Sequence, residues 1–306
     1  MIRYFLVLTL TLGLVLPCST AAGDFSGERA FEWLVAQCEL GPRVPGSEGH
    51  AALRTMVTDL ADELGLNWMI LEHDAVSPLT GVMMELGEIV VSIGPEGGRR
   101  LWVGAHYDTR AVADQDPDPL ARNIPILGAN DGASGVAVLL HLMEVLAAEP
   151  PAIGVDLLFL DGEDQGRASE PLTFCIGSEW LAARCRDFGN PLAMGEPLGV
   201  VIVDMVADHD VSIPMEGQSL RYAGAFTRMI FERAGQLGLD VFVPEPGRSV
   251  HDDHVPFLRR GIPAVDLIDF QDDDWHTLGD VPASCSARGL GQVGALLQDL
   301  CRRPPG

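Results

Sequence analysis

Hydrophobic and polar positions along the chain change period several times, and the changes mark out elements. Residues 24–65 carry apolar positions at helical spacing, most clearly from Ser47 to Leu64 after the Gly- and Pro-rich GPRVPGS turn. Strand-like apolar runs follow at Trp68–Leu71, Val82–Ile93 and Leu101–Ala105. A Pro-, Asp- and Ala-rich loop spans Ala111–Pro125, and a further short apolar run, Ile124–Leu127, closes it. Ala133–Leu146 is apolar nearly all round and predicts a buried helix. Val155–Leu160 is a continuous apolar run, as expected of a central strand covered on both faces. The alternation continues with a helix at Gly177–Arg184, a strand at Gly199–Val203, a helix at Leu220–Leu237, a strand at Ile262–Ile268 and a closing helix at Ala287–Cys301. Strands alternating with helices predict an α/β fold: a mostly parallel, twisted central sheet sandwiched between helices. No internal repeat or low-complexity linker divides the chain, so residues 23–306 read as a single domain.

The start of the chain has a different grammar. Arg3 supplies a positive end, an apolar run extends from Tyr4 to Pro17, and Ser19, Thr20, Ala21 and Ala22 are small. Residues 1–22 therefore read as a signal peptide, too short in its apolar part for a spanning helix. The expectation is an exported protein, periplasmic or secreted, that holds no membrane segment once the signal is cleaved. At 306 residues the chain is long enough for a sizeable core. Its formal charge is −24, from 44 acidic and 20 basic residues. Such a surface repels phosphate backbones, so nucleic acid is not an expected partner. The sequence contains no lysine, which excludes a lysine nucleophile or Schiff base. Removal of Cys18 with the signal leaves Cys38, Cys175, Cys185, Cys285 and Cys301, whose spacings match no zinc knuckle or redox motif. One or two disulfides and buried free thiols are equally compatible with them.

In sheets of this class ligands sit beyond the carboxyl ends of the strands. The polar residues after each apolar run are therefore the informative ones. After Leu101–Ala105 come His106 and Asp108; after Ile124–Leu127, in GANDGASG, comes Asp131. After Val155–Leu160, in LDGED, come Glu163 and Asp164; after Gly199–Val203 comes Asp204; and after Ile262–Ile268 and an acidic loop come Trp275 and His276. His106, Asp131, Asp164, Asp204 and His276 are five candidate metal ligands, and Glu163 is a carboxylate to spare. Imidazole with carboxylate suits zinc, and the lack of thiolates points to a catalytic site with an open position. Adjacent side chains at a strand end diverge, so Asp164 can hold metal while Glu163 faces substrate as a base. One aspartate in a loop is usually a cap or a solvated charge; it is the joint placement that carries weight. Asp108 is expected to orient His106, His254 to support the site or cap a helix, and His141 to be structural.

The motifs GPRVPGS, GAHYDT, ANDGASGVA, DGED, IGSEWLA, IVDM, DDHVPFLRRGIP and WHTLGD, in that order, resemble the M28 zinc peptidase superfamily over nearly the whole mature chain. Two of its branches bear on this chain: two-zinc aminopeptidases and one-zinc glutaminyl cyclases. The resemblance implies a zinc aminopeptidase-like α/β/α fold. It implies Asp131, Asp164 and His276 as the zinc ligands of the cyclase type, and Glu163 as the general acid/base of both branches. His106 and Asp204 match the remaining ligands of a second metal in aminopeptidases. Asp252 matches an active-site carboxylate typical of cyclases, and Trp275 their substrate-lining tryptophan. The chain also departs from animal cyclases: Asp164 stands in place of glutamate, Asp266 in place of histidine, and the stretch Gln165–Leu172 lacks their tryptophan.

The implied activity is glutaminyl-peptide cyclotransfer, closing an N-terminal glutamine to pyroglutamate with release of ammonia. One zinc is expected per chain, Glu163, Asp204 and Asp252 are the expected catalytic carboxylates, and Trp275 borders the substrate. The competing expectation is a two-zinc aminopeptidase, in which Glu163 activates water. A binding module without catalysis is the third, and an intact Glu163 among five ligands speaks against it. The expected partner is a peptide or protein N-terminus as substrate, and the enzyme itself is expected to be a monomer.

Overall fold

The computed structural model describes residues 23–185 and 196–304; the segment read as a signal peptide, residues 1–22, lies outside the described residues. Helices α1 (Gly27–Glu39) and α2 (Glu48–Glu63) come first. The hydroxyls of Ser26 and Ser47 cap them by accepting from the N–H groups of Arg29 and His50. The GPRVPGS turn thus divides what the apolar period runs together. Then come β1 (Asn67–Val76), β2 (Met83–Ile93), β3 (Arg99–His106), α3 (Ala133–Ala148), β4 (Gly154–Leu160), α4 (Ile176–Arg184) and β5 (Glu196–Asp204). The chain continues through β6 (Ile213–Met215), α5 (Gly217–Tyr222), α6 (Gly224–Gln236), β7 (Phe242–Pro246), α7 (His254–Arg259), β8 (Ala264–Ile268) and α8 (Ala287–Arg302).

Six strands form one sheet in the order β1-β2-β4-β3-β5-β8, and β6 pairs with β7 apart from it. The pairs β4–β3, β3–β5 and β5–β8 are parallel; β1–β2 and β2–β4 are antiparallel. Side-chain alternation splits the core between the two faces. Leu101, Val103, Leu157, Phe159, Val201 and Val203 point to one face, where residues of α1, α3, α6 and α8 pack. Trp102, Leu158, Leu160, Val200 and Ile202 point to the other, against Leu181 of α4 and Phe257 of α7. Every residue of β4 is buried, as its continuous apolar run requires. The fold is the mixed, mainly parallel sheet between helices that the alternation predicts.

Three local expectations are corrected. Ile124–Leu127 is loop, not strand: Ile126 N–H donates to Arg110 O, and the buried Arg43 guanidinium donates to the carbonyls of Leu127 and Gly128. The single helix expected over 220–237 is broken at Ala223 (φ −128°, ψ 35°), because Ser219 is tied sideways to β8, its hydroxyl accepting from Asp266 N–H. The short elements β6, β7 and α7 have no apolar period of their own and went unpredicted. Cys38, Cys175, Cys285 and Cys301 are buried free thiols, which decides for those four the choice left open by their spacing. Among the described residues, no helix is long and apolar enough to cross a membrane.

Candidate metal centre and its cavity

The central strands β4, β3 and β5 end side by side, and each delivers acidic or imidazole groups to the same edge of the sheet. His106 closes β3, Asp204 closes β5, and Asp161–Gly162–Glu163–Asp164 follows β4. Asp131 arrives differently, from the loop that starts α3. Gly132 behind it has φ +96°, and a Cβ there would stand 2.9 Å from Asp108 O and 3.1 Å from the His106 ring. Only glycine lets Asp131 come this close to β3. Asp280 of the WHTLGD motif then fixes the loop, its carboxylate accepting from Asn130 N–H (2.6 Å) and Asp131 N–H (3.1 Å).

Two overlapping trios result. Asp131, Asp164 and His276 each offer a ligand atom within 4.8 Å of the others, and so do His106, Asp131 and Asp204. In the first trio His276 Nε2 lies 3.2 Å from Asp164 Oδ1 and 3.5 Å from Asp131 Oδ2. In the second His106 Nε2 lies 3.2 Å from oxygens of both Asp131 and Asp204. The structure thus brings together all five candidate ligands, with Asp131 shared. The donor set fits a divalent cation on chemical grounds. Asp131 Oδ2 and Asp164 Oδ2 are buried and accept no hydrogen bond, and unpaired buried carboxylate oxygens are costly unless a cation meets them. Burial lowers the pKa of His276, but Asp164, Asp114 and Asp131 outweigh it and carry the imidazole up to about 9.

The supporting groups are as ordered as the trios. His276 Nδ1 faces Asp114 at 3.2 Å, a carboxylate–histidine pair that orients the ring. Asp114 is held in turn by both arms of Arg110, which also reaches Asp164 Oδ1 at 3.1 Å. Burial alone raises the Asp114 pKa, yet His276 and Arg110 together hold it well below the usual carboxylate range. Asp108 places His106 through its main-chain oxygen, 3.2 Å from Nδ1, and its carboxylate accepts from Glu163 N–H and Asp164 N–H. Arg110, Asp114 and Cys175 were missed from sequence. Arg110 directly follows GAHYDT, but Asp114 is one of several acids in an aperiodic loop and gives no signal of its own.

Glu163 is 9 % exposed and lines a cavity of about 430 Å³ together with Asp131, Asp164, His276 and Trp275. Burial raises its pKa well above the usual carboxylate range; His106 opposes this, while Asp164, Asp252 and Asp253 add to it. Asp252 lies within the same 4.8 Å cluster as Glu163 and Cys175. Its Oδ1 accepts from Asp253 N–H at 2.6 Å, and its Oδ2 is buried without a donor. Asp204 is pushed up to about 7 by burial, with His106 opposing and Asp252 adding. Trp275 stacks on His276 with ring centroids 3.8 Å apart and meets Phe270 edge-on at 5.0 Å. The cavity therefore sets a cluster of ionisable groups against an aromatic wall.

Among the described residues, three other than glycine have positive φ: Cys175 (+60°), Met205 (+49°) and His276 (+57°). Each is at this site or adjoins it: His276 in the first trio, Met205 directly after Asp204, Cys175 against Glu163. Strained backbone concentrated at one place is a mark of function.

Comparison with known proteins agrees with this geometry. A mouse glutaminyl-peptide cyclotransferase-like protein is 29% identical over 269 residues, covering 79% of this chain and 67% of that protein. A Bacteroides thetaiotaomicron glutaminyl cyclase, solved bound to N-acetylhistamine, superposes with TM-score 0.86 at 27% identity, over 92% of this chain and 99% of that one. A leucine aminopeptidase precursor from the same organism superposes with TM-score 0.86 at 27% identity, over 93% and 99%. The family model for Peptidase family M28 matches residues 88–301, which span every ligand of both trios, and the chain belongs to that family.

Proposed function

We propose that the chain is a glutaminyl-peptide cyclotransferase, with one zinc held by Asp131, Asp164 and His276. The observation that carries this reading is the buried Glu163 carboxyl group, its proton affinity raised by burial, set beside that trio in one aromatic-walled cavity. The names of the mouse relative and of the bacterial cyclase support it. Zinc bound at the trio supplies polarisation of the substrate's side-chain amide. Glu163 takes a proton from the α-amine of the N-terminal glutamine. The amine nitrogen bonds to the side-chain carbonyl carbon, the C–NH₂ bond breaks, and Glu163 returns its proton to the departing nitrogen, which leaves as ammonia. Such a shuttle works best when its pKa lies near the working pH, the direction in which burial and Asp252 push Glu163. Asp252 adds to that proton affinity, and Asp204 and Asp252 line the cavity beside Glu163. Trp275 borders the glutamine and keeps water from competing with the amine. The proposal includes export with loss of residues 1–22, a single catalytic unit from residue 23 onward, and action as a monomer on peptide or protein N-termini.

One observation favours a second reading. The His106–Asp131–Asp204 trio offers a second cation position beside the first, as a two-zinc aminopeptidase needs. There Glu163 takes its proton from water attacking the first peptide bond. Metal content with product analysis separates the two. One zinc per chain with ammonia released from a Gln-peptide is the expected result; two zincs with free amino acids and no ammonia replaces it with the peptidase.

A further inference from the structure

The side chain bonded to the Glu163 carboxyl group belongs to a residue that the proposed reaction does not use. Cys175 precedes α4 with φ +60° and ψ +39°, a left-handed conformation that is strained for a residue other than glycine. The conformation folds Cys175 back onto the DGED turn. Its N–H donates to Glu163 O at 2.9 Å, and the N–H of Ile176 donates to Gly162 O at 3.3 Å. Its Sγ lies 3.4 Å from Glu163 Oε1. Among the described residues this thiol is the one hydrogen-bond donor to that carboxyl group. Its acidic neighbours Asp164, Asp252 and Asp253 offer carboxylates, which repel rather than hold it. The thiol is 1 % exposed, and burial with the adjacent carboxylates keeps it protonated, hence a donor. The far side is braced as well. Ser178 Oγ donates to the Cys175 carbonyl at 3.2 Å and lies 2.5 Å from Asp253 Oδ1, so the turn is anchored to the segment that carries Asp252.

We propose that Cys175 is a positioning residue: its thiol donates to Glu163 Oε1 and holds the carboxyl group in the orientation from which it exchanges a proton with the substrate amine. The assignment rests on the reading of Glu163 as proton carrier. With Oε1 engaged and the main chain of Glu163 clamped by the same residue, Oε2 is left for the substrate. Among the described residues, this carboxyl group, repelled by three others, has no other tether of this kind.

The test uses the full mature chain loaded with zinc, and reads ammonia release from a Gln-peptide, zinc content and Tm. Cys175→Ala removes the donor. Cys175→Gly removes it too but relaxes the backbone at positive φ, so a folding defect in the alanine variant does not decide the matter. Cys175→Ser restores a donor. Both donor-free variants are expected to lose about 10–100-fold in kcat, the scale of a small misplacement of a reacting group, with KM and zinc content unchanged. The serine variant is expected to stay within a few-fold of wild type. Adding Cys175→Ala to Glu163→Gln is expected to cost nothing further, since the tethered carboxyl is already gone. Wild-type kcat in the donor-free variants overturns the assignment, as does a serine variant as slow as alanine. If wild type itself releases no ammonia, the cyclase reading falls and takes the role of Cys175 with it.

Discussion

Glu163 and Asp164 are neighbours in sequence, and the different roles proposed for them follow from what surrounds each. Burial raises the Asp164 pKa as it does that of Glu163, but Asp164 also faces His276 and Arg110, two groups that favour its charge. Glu163 faces burial and three carboxylates, which favour its proton. Two variants separate the roles. Glu163→Gln preserves shape but cannot carry a proton; it is expected to keep zinc content and Tm while losing about 10²–10⁴-fold in turnover. Near wild-type kcat in that variant removes Glu163 from the mechanism. His276→Ala deletes an imidazole on which the Asp131–Asp164 pair depends. It is expected to lose most bound zinc, read by metal analysis of the purified protein. Full zinc content contradicts the assignment of the trio.

Among the elements, α3 is the one that carries a ligand loop at its start, and its position depends on α1. His141 of α3 accepts from Ser26 N–H at 3.1 Å through Nε2 and meets Glu144 at 2.7 Å through Nδ1. Glu144 in turn pairs with Arg29 of α1 at 2.6 Å. Burial raises the Glu144 pKa, but His141 and Arg29 prevail and bring it from 4.5 to about 2. A carboxylate with a depressed folded pKa stabilises fully above its unfolded value, and the gain is lost as pH falls through the folded one. The Tm gap between wild type and Glu144→Gln is therefore expected to be constant above about pH 5 and to shrink between pH 4.5 and pH 2. Arg29 is partly exposed, so the gap is modest and narrows further in high salt. A gap that does not change with pH shows that the tie is packing rather than charge.

Across the whole molecule the formal charge balance is −24, and some of the acidic groups in it are not on the surface. Asp131, Asp164, Asp204 and Glu163 are all buried at one edge of the sheet. Folding has to bring these carboxyl groups together out of water, and a cation held at the trios would offset their repulsion. Chelation is therefore expected to lower Tm and re-addition of zinc to restore it. A ligand present at 100 times its Kd contributes about 2.7 kcal/mol to the folded state. A Tm indifferent to chelator, measured by calorimetry with metal content confirmed, shows that the site holds no stabilising cation.

The order of elements and much of the site were legible in the chain because both are local. A strand covered on both faces is a continuous apolar run, and ligands beyond its end are the next polar residues. Val155–Leu160 with Glu163 and Asp164, Leu101–Ala105 with His106, and Gly199–Val203 with Asp204 follow this rule directly. Asp131 was found for a reason the structure corrects, since the run before it is loop; the glycine at φ +96° places it instead. What tertiary structure alone decided are contacts between segments with no shared period. Asp114 backs His276 across 162 residues, and the two arms of Arg110 fix Asp114 in that position. Cys175 reaches Glu163 through a left-handed turn that has no hydrophobic signature. The break at Ala223, too, is set from outside the helix, by the hydroxyl of Ser219 on Asp266 N–H. Periodicity records which face of an element is buried; which polar group it meets there is chosen by the neighbour, and the neighbour is known only once the sheet is assembled.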